Sequence, residues 1–176
     1  MRLAHLGPAG TWSEAAARHF RADAALVPAP TFAAVLQSLH LGHADAAVLP
    51  VENSRTGRVA DANALLEANE YTTIGEINLA IHHALLTLAD VTLADLKLVR
   101  SHPQALAQCA WFIAHELAHV QCEATTSTAA AIAAIGKERT AAAIAAPHAC
   151  PAHLVILAPA IQDDPHNTTR FIVVTR

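Results

Sequence analysis

The sequence predicts an α/β fold with mostly parallel sheets and helices packed on them. Short apolar runs, several of them rich in β-branched residues, alternate along the chain with longer segments of helical period. Apolar residues make up 53% of the 176 residues, and aromatic residues make up only 4%. A chain of this length buries roughly 70% of its unfolded surface, which is enough for one domain or two small lobes.

The predicted elements alternate in order along the chain. In the first half, the predicted strands are 2–6, 24–27 and 46–49, and the predicted helices are 13–20, 31–41 and 60–69. In the second half, an apolar segment at 74–86 precedes strands at 96–99, 120–122 and 141–144 and helices at 103–115 and 128–135. Helices that separate strands imply parallel pairing. The β-rich tail at 170–175 has no partner helix, so it could return to the first sheet.

Charge and cysteine content exclude several classes of protein. The net charge is −4 with histidines neutral, and basic residues form no cluster, so we expect neither a nucleic-acid nor a membrane partner. No apolar run has the length of a membrane span, and the N-terminal apolar stretch is too short for a signal peptide. We therefore expect a cytoplasmic protein. Three cysteines without a C-x-x-C pair favour reduced structural thiols over disulfides.

Polar residues gather at turns where predicted strands end, and this edge of a parallel sheet is where ligands bind. In "GPAGTWSEAA", Thr11 or Ser13 can cap the following helix, whose exposed N–H groups favour an anion. A purely structural capped turn explains this motif equally well. In "VLPVENSRTGRV", three polar side chains follow a strand directly, which favours ligand contact over an ordinary loop; they are Glu52, Asn53 and Ser54.

Three further turns repeat the arrangement. In "SHPQALAQC", Ser101 is the expected N-cap and Gln104 lies near the cap, although a simple helix cap is an equal alternative. "TTSTAAA" places Ser127 and Thr128 at a helix start, and "HNTTRF" adds hydroxyls and a cation before the last strand. Hydroxyls, amides and helix N-termini with few metal ligands favour a small polyanion such as a dicarboxylate.

On these residues the chain resembles the catalytic domain of the prephenate dehydratases. "GPAGTWSEAA" resembles the family's Gly-Pro-x-Gly-Thr-Phe-Ser-x-x-Ala, and "PVENSRTGRV" resembles Pro-Ile-Glu-Asn-Ser-x-x-Gly-x-Val. "SHPQALAQC" matches Ser-His-Pro-Gln-Ala-x-x-Gln-Cys, and "NTTRF" matches Asn-x-Thr-Arg-Phe. Four ordered motifs between residues 7 and 171 are far more specific than any one of them.

The resemblance implies two α/β lobes similar to the type II periplasmic binding proteins, with the active site in the interlobe cleft. Carried over, residues 1–77 and 163–176 form one lobe, and residues 78–162 form the other. Family members usually continue into a regulatory ACT domain. Because this sequence stops at Arg176, we expect the chain to lack that domain. The resemblance also implies a homo-oligomer.

The implied reaction converts prephenate to phenylpyruvate in phenylalanine biosynthesis, with loss of carbon dioxide and the ring hydroxyl and without a cofactor or metal. The family's catalytic threonine is here Thr169, and we expect its hydroxyl to donate a hydrogen bond to the departing oxygen. Arg170 either neutralises a substrate carboxylate or clamps the lobes together. The other residues expected to bind substrate are Thr11, Ser13, Glu52, Asn53, Ser54, Ser101, Gln104, Ser127 and Thr128, with Trp12 and Phe171 behind them.

Departures from the family pattern leave the substrate open. Trp12 replaces the usual phenylalanine and Val51 the usual isoleucine, whereas Ala152 and His153 stand where many members have Tyr-Gly. Some relatives use arogenate, and others decarboxylate prephenate without aromatising it. A non-catalytic module that binds small anions is the alternative of another class. The intact Thr-Arg-Phe motif, which contains Thr169, favours the dehydratase.

The stretch "WFIAHELAHV" contains H-E-x-x-H, the signature of zinc proteases, at His115 to His119. With 12 histidines in the chain, chance supplies such a pentad in roughly one sequence in thirty. The metzincin position for a third ligand holds Thr125, which leaves only the distant Glu138. We also expect the helix to end near His115, so that His119 leaves its face. We therefore expect no metal site.

Overall fold

The computed structural model describes residues 1–176 and divides into two compact units. The first unit contains Met1–Ile81 and His166–Arg176, and the second contains His82–Pro165. The boundaries predicted from the sequence lie between residues 77 and 78 and between residues 162 and 163. The first of those positions lies inside a strand that runs Thr72–Ala80.

Eleven strands and six α-helices form the two units. In chain order they are β1 (Arg2–Leu6), α1 (Trp12–Phe20), β2 (Ala25–Ala29), α2 (Phe32–His40), β3 (Ala46–Asn53), β4 (Gly57–Arg58), α3 (Ala60–Glu67), β5 (Thr72–Ala80), β6 (Ala84–Thr87), β7 (Leu98–Ser101), α4 (Pro103–Gln108), α5 (Ala110–Glu116), β8 (Gln121–Ala124), α6 (Thr128–Ile135), β9 (Ala141–Ala145), β10 (Val155–Ala158) and β11 (Thr168–Thr175). Short 3-10 turns lie at Leu93–Asp95 and Pro147–Ala149.

The sheet of the first unit has the strand order β2-β1-β3-β11-β5, with β4 paired to β3. β1 is parallel to β2 and to β3, as crossover helices require. β11 runs antiparallel between β3 and β5, which confirms that the β-rich tail returns to the first sheet. The sheet is therefore mixed rather than mostly parallel, because the returning strand enters from the opposite end.

Both faces of this sheet are covered, which explains the continuous apolar runs of β1 and β3. Alternate residues of each strand point to opposite faces. On the α1 side, the core includes Leu3, Val48, Ile77, Phe171 and Val173. On the side of α2, the core includes Ala4, Val35, Leu39, Leu49 and Val174.

The sheet of the second unit has the order β10-β6-β9-β7-β8. β7 is parallel to β8 and β9, whereas β6 is antiparallel to β9 and β10 to β6. One face packs on α4 and α5 through residues such as Cys109 and Leu117, and the other packs on α6 through Ala131 and Ile135. The predicted helix 103–115 is two helices, because the backbone leaves helical geometry at Cys109, with φ −119° and ψ 23°. β10 has no predicted counterpart.

The H-E-x-x-H pentad spans the end of a helix. α5 ends at Glu116 and β8 begins at Gln121, which confirms that His119 lies outside the helix. His115 Nδ1 is 2.8 Å from the Trp111 carbonyl oxygen, and the two rings stack with centroids 4.3 Å apart. No group of three His, Cys, Asp or Glu side chains in the chain is arranged to hold a metal ion.

Two further chain-wide features bear on the sequence predictions. All three cysteines are unpaired thiols, and burial, reinforced by the Asp163 carboxylate, raises the pKa of Cys109 to about 12. None of the helices combines the length and the apolar character that a membrane crossing requires.

Gly75 makes close packing of α1 on the edge strand β5 possible. A Cβ added at Gly75 would lie 2.5 Å from Phe20 Cε2 and 3.1 Å from Cδ2. We expect Gly75→Ala to lower the free energy of unfolding by about 1–3 kcal/mol, the usual cost of overpacking, as measured by urea denaturation. In a Phe20→Ala background the same substitution should cost much less. An equal cost in both backgrounds would contradict the steric explanation.

Candidate active site

The carboxyl ends of β1 and β3 point to one edge of the first sheet, because the two strands are parallel. β11 runs in the opposite direction and therefore begins at the same edge. This edge brings together the turn after β1, the "ENS" turn and the start of the last strand. The sequence predicted site residues in all three segments.

Asn53 and Thr169 form the centre of this edge. They are directly opposite each other in the β3–β11 ladder, so their side chains share one face. Asn53 Nδ2 donates to Thr169 Oγ1 at 2.9 Å, to Asn167 Oδ1 at 2.8 Å and to the Thr168 carbonyl at 3.0 Å. Asn53 Oδ1 accepts from the backbone N–H groups of Arg55 at 3.0 Å and Thr56 at 3.1 Å. Thr169 is 9% exposed and Asn167 is 1% exposed.

A β-bulge sets the direction of the neighbouring side chains. Arg170 is opposite Glu52, but the next residue, Phe171, is opposite Pro50, so β3 carries one extra residue, Val51, in the ladder. An extra residue of this kind bends a strand and redirects its side chains, and bulges recur beside active sites. The bulge lies directly before the pair formed by Asn53 and Thr169.

Ser54 joins the start of β11 to the end of β3. Its backbone N–H donates to the Thr168 carbonyl at 2.9 Å, and its Oγ accepts from the Thr168 N–H at 2.9 Å. This reciprocal pair extends the ladder by one residue. Ser54 therefore fixes the start of β11, next to Thr169.

The turn after β1 is a capped helix start. Of the two predicted caps, Thr11 is the one used: its Oγ1 accepts from the Glu14 N–H at 3.2 Å and donates to the Leu6 carbonyl at 2.8 Å. The Glu14 carboxylate in turn accepts from the Gly10 N–H at 2.7 Å. Ser13 is buried in the first turn of α1, and Trp12 packs against the core on the α1 side.

Arg170 lies on the opposite face of the sheet from Thr169. Its Nη2 is 3.1 Å from the Glu52 carboxylate, and its Nη1 is 3.5 Å from the Glu76 carboxylate. It lines a surface cavity of about 400 Å³ with Ile172 and Val174, whereas Phe171 is buried on the α1 side. The guanidinium of Arg170 therefore joins β3, β11 and β5 within the first unit, and its two predicted roles stay predictions.

The second unit repeats the arrangement at the carboxyl ends of β7, β8 and β9. The predicted N-cap Ser101 is instead the last residue of β7; it is fully buried, and its hydroxyl donates to the Ile144 carbonyl at 2.6 Å. His102 caps α4, with Nδ1 accepting from the Gln104 N–H at 3.3 Å. The prediction that Ser101 caps the helix is wrong, because the strand extends two residues beyond its apolar run, which ends at Val99.

The start of α6 agrees with the prediction. Ser127 is the N-cap, and its Oγ accepts from the Ala130 N–H at 3.0 Å. Thr128 is the first helical residue, and both side chains are partly exposed. Gln104, in the first turn of α4, is exposed. The three residues lie at the carboxyl edge of the second sheet, since β7 and β8 are parallel.

A buried histidine, His83, belongs to a hydrogen-bonded group of polar side chains in the second unit. His83 is 5% exposed, and its Nε2 is 2.7 Å from Gln108 Oε1. Its backbone N–H donates to Gln162 Oε1 at 2.9 Å, and Gln162 Nε2 is 2.9 Å from His82 Nδ1. His83 Nδ1 is buried without a partner. Burial lowers the pKa of His83, aided by the nearby His82, while the hydrogen bond to Gln108 opposes the shift.

The sequence matches the family model for prephenate dehydratase over residues 3–176. The chain belongs to the prephenate dehydratase family. It is 40% identical to arogenate dehydratase 1 of Petunia hybrida over 100% of this chain and 42% of that protein. It is 36% identical to the bifunctional chorismate mutase/prephenate dehydratase of Neisseria gonorrhoeae over 99% of this chain and 49% of that protein. The chain thus spans about half the length of these curated relatives.

Solved structures support the same assignment. The prephenate dehydratase of Arthrobacter aurescens, solved in complex with L-Phe, matches with a TM-score of 0.89 and 34% identity, over 100% of this chain and 60% of that chain. This similarity confirms the predicted fold class, which is the periplasmic-binding-protein-like α/β fold of prephenate dehydratases.

Two buried groups in this prephenate dehydratase domain had no predicted role. Asn167 accepts from Asn53, and the only signal in the sequence is its place at the start of the "NTTRF" motif. His83 and its partner Gln108 are 25 residues apart, and no local pattern links them. Such pairs are defined by tertiary packing.

The lowered pKa of His83 predicts a pH-dependent stability. The unfolded chain binds a proton near pH 6.5, its ordinary value, whereas the folded chain binds it only at a lower pH. Stability is therefore complete above about pH 6.5 and is lost as the pH falls below that value. Urea denaturation between about pH 7.5 and 5.5 should show a larger loss for the wild type than for His83→Gln. The other histidines are common to both proteins, and equal losses would contradict the prediction.

Proposed function

We propose that this chain catalyses the decarboxylating dehydration of prephenate to phenylpyruvate, in the biosynthesis of phenylalanine. The observation that carries the proposal is the Thr169 hydroxyl, held at 2.9 Å by the Asn53 amide at a strand edge. The membership of residues 3–176 in the prephenate dehydratase family supports the reaction class. Thr169 is then the catalytic residue.

The reaction needs little covalent help from the protein. The bond between the ring carbon and the departing carboxylate breaks, and its electron pair enters the ring. The ring becomes aromatic as the bond to the hydroxyl group breaks, which releases carbon dioxide and hydroxide. Because aromatisation supplies the driving force, the protein has to orient the substrate and stabilise the departing oxygen.

Thr169 suits the second of these tasks. Its oxygen accepts from Asn53, so its hydrogen is left for another acceptor. A threonine hydroxyl is too weak an acid to transfer its proton fully, so it donates a hydrogen bond to the oxygen as charge develops there. No cofactor or metal takes part in this proposal.

The substrate carboxylates need hydrogen-bond donors, and each unit has candidate donors of its own. The N-termini of α1 and α6 carry backbone N–H groups that favour an anion. Gln104, Ser127 and Thr128 are exposed or partly exposed, and they are the side chains available in the second unit. Ser101 is excluded from direct contact by its complete burial.

Arogenate dehydratase activity is the second candidate, favoured by the relative from Petunia hybrida that carries this name. Arogenate has the same reacting ring and differs from prephenate only in its side chain. The chemistry at Thr169 is therefore the same for both acids. Decarboxylation without aromatisation and simple anion binding are further alternatives. A cytoplasmic location and a homo-oligomeric state complete the proposal.

A direct assay separates these candidates. The purified chain is incubated with prephenate or with arogenate, and phenylpyruvate or phenylalanine is measured against enzyme-free controls. Formation of phenylpyruvate supports the first proposal, and a preference for arogenate supports the second. A decarboxylated, non-aromatic product would establish the decarboxylase, and binding without turnover would establish the binding module.

Removal of the Thr169 hydroxyl tests its role. Thr169→Val keeps the shape but removes the donor, and we expect kcat to fall by about 10²–10³-fold, as for loss of a donor to a developing oxyanion. Thr169→Ser retains the hydroxyl and should keep most of the activity. Steady-state kinetics with the active substrate provide the measurement. Full turnover by Thr169→Val would disprove the mechanism.

A further inference from the structure

Asn53 is the most fully hydrogen-bonded side chain at the candidate active site. Its Nδ2 group donates to three acceptors, which are Asn167 Oδ1, the Thr168 carbonyl and Thr169 Oγ1. Its Oδ1 accepts from two backbone N–H groups and lies 3.4 Å from the Thr56 hydroxyl. No polar atom of Asn53 is left for a substrate carboxylate, so its predicted role in substrate binding does not fit this geometry.

The direction of the Asn53 amide is fixed by chemistry as well as by shape. The N–H groups of Arg55 and Thr56 are obligatory donors, so the atom that faces them has to be the oxygen. The amide nitrogen is thereby turned toward Asn167 and Thr169. Asn167 is 1% exposed, and its Oδ1 holds the nitrogen from the buried side.

The fixed amide determines what the Thr169 hydroxyl can do. A donor at 2.9 Å occupies one lone pair of Oγ1, so the hydroxyl hydrogen cannot point toward Asn53. No hydrogen bond from Thr169 to an acceptor of the chain competes for that hydrogen. We propose that Asn53 is a positioning residue that turns the Thr169 hydroxyl hydrogen toward the substrate. This role rests on the proposed dehydratase function.

Asn53→Asp tests the proposal because it exchanges a donor for an acceptor with little change in size. The ionised carboxylate of this variant would accept the Thr169 hydrogen and turn it away from the substrate. We expect kcat to fall by about 100-fold at neutral pH, with KM changed by less than about threefold, because only a transition-state interaction is lost.

The pH profile gives the decisive readout. A protonated carboxyl can donate to Thr169 Oγ1, so the kcat of Asn53→Asp should recover as the pH falls from about 8 toward 5. The acceptors Asn167 Oδ1 and the Thr168 carbonyl oppose ionisation of the new carboxyl, whereas the backbone N–H groups of Arg55 and Thr56 favour it, so the rise is measured over the whole range down to about pH 5. The wild type should show no such rise. Each rate is corrected for the reaction without enzyme at the same pH.

Asn63→Asp is the matched control. Asn63 Nδ2 donates to the Val51 and Val59 carbonyls, each at 2.8 Å, so this variant places a carboxylate against β3 without touching Thr169. Its kcat should stay within about twofold of the wild type. Asn53→Ala removes the donor without adding an acceptor; we expect a lower kcat with the pH profile of the wild type. This second variant also tests the role if Asn53→Asp does not fold, as judged by circular dichroism.

The outcomes separate this role from the proposed function. An active wild type with a slow Asn53→Asp variant that recovers in acid supports the positioning role. An active wild type with unchanged kcat in Asn53→Asp or in Asn53→Ala overturns it and leaves the dehydratase proposal intact. A folded Asn53→Asp variant with the pH profile of the wild type also overturns it. A wild type that turns over neither prephenate nor arogenate overturns the proposed function, and the role of Asn53 with it.

Discussion

The insertion of β11 between β3 and β5 is the constraint on which the first unit depends. Without β11, the paired strands β1, β2 and β3 would be separated from β5, and the cores on both faces would lose Phe171 and Val174. The same insertion brings Thr169 to Asn53, which is 116 residues away in the sequence. The strand that completes the first sheet therefore also completes the candidate active site. Contacts of this separation form only after a large loss of chain entropy, so they depend on the entire chain.

The period of the β-strand divides the "TTRF" motif between two tasks. Thr169 and Phe171 point to the face covered by α1, while Arg170 points to the other face, where Glu52 and Glu76 bind it. Adjacent residues of one motif thus belong to the candidate active site and to the ion pairs that join the strands. In β3, which contains the bulge at Val51, neighbouring side chains also have separate partners. Glu52 forms an ion pair with Arg170, and Asn53 hydrogen-bonds with Thr169.

The polar edge of each sheet contains the same local motif, which is a strand followed by a turn and a capped helix. In the first unit Thr11 caps α1, and in the second His102 and Ser127 cap α4 and α6. Side chains that cap these helices or bridge these strands fix the backbone at the turns, and the start of a helix is a place where N–H groups favour an anion. Several polar residues of the motifs, such as Ser101 and Ser127, thus form hydrogen bonds with the backbone of their own unit.

Local sequence patterns were sufficient to predict the α/β class, most of the strands and helices, and the turns that carry the candidate site. These features depend on local periodicity and capping, which short segments encode; Ser127 at the start of α6 is an example. Local patterns do not contain the partners of side chains that are distant in the sequence. The tertiary structure pairs Arg170 with Glu52 and Glu76, and it buries Ser101 at the end of a strand. It also gave Asn53 its partners, because strand register and the bulge are set by the packing of distant segments.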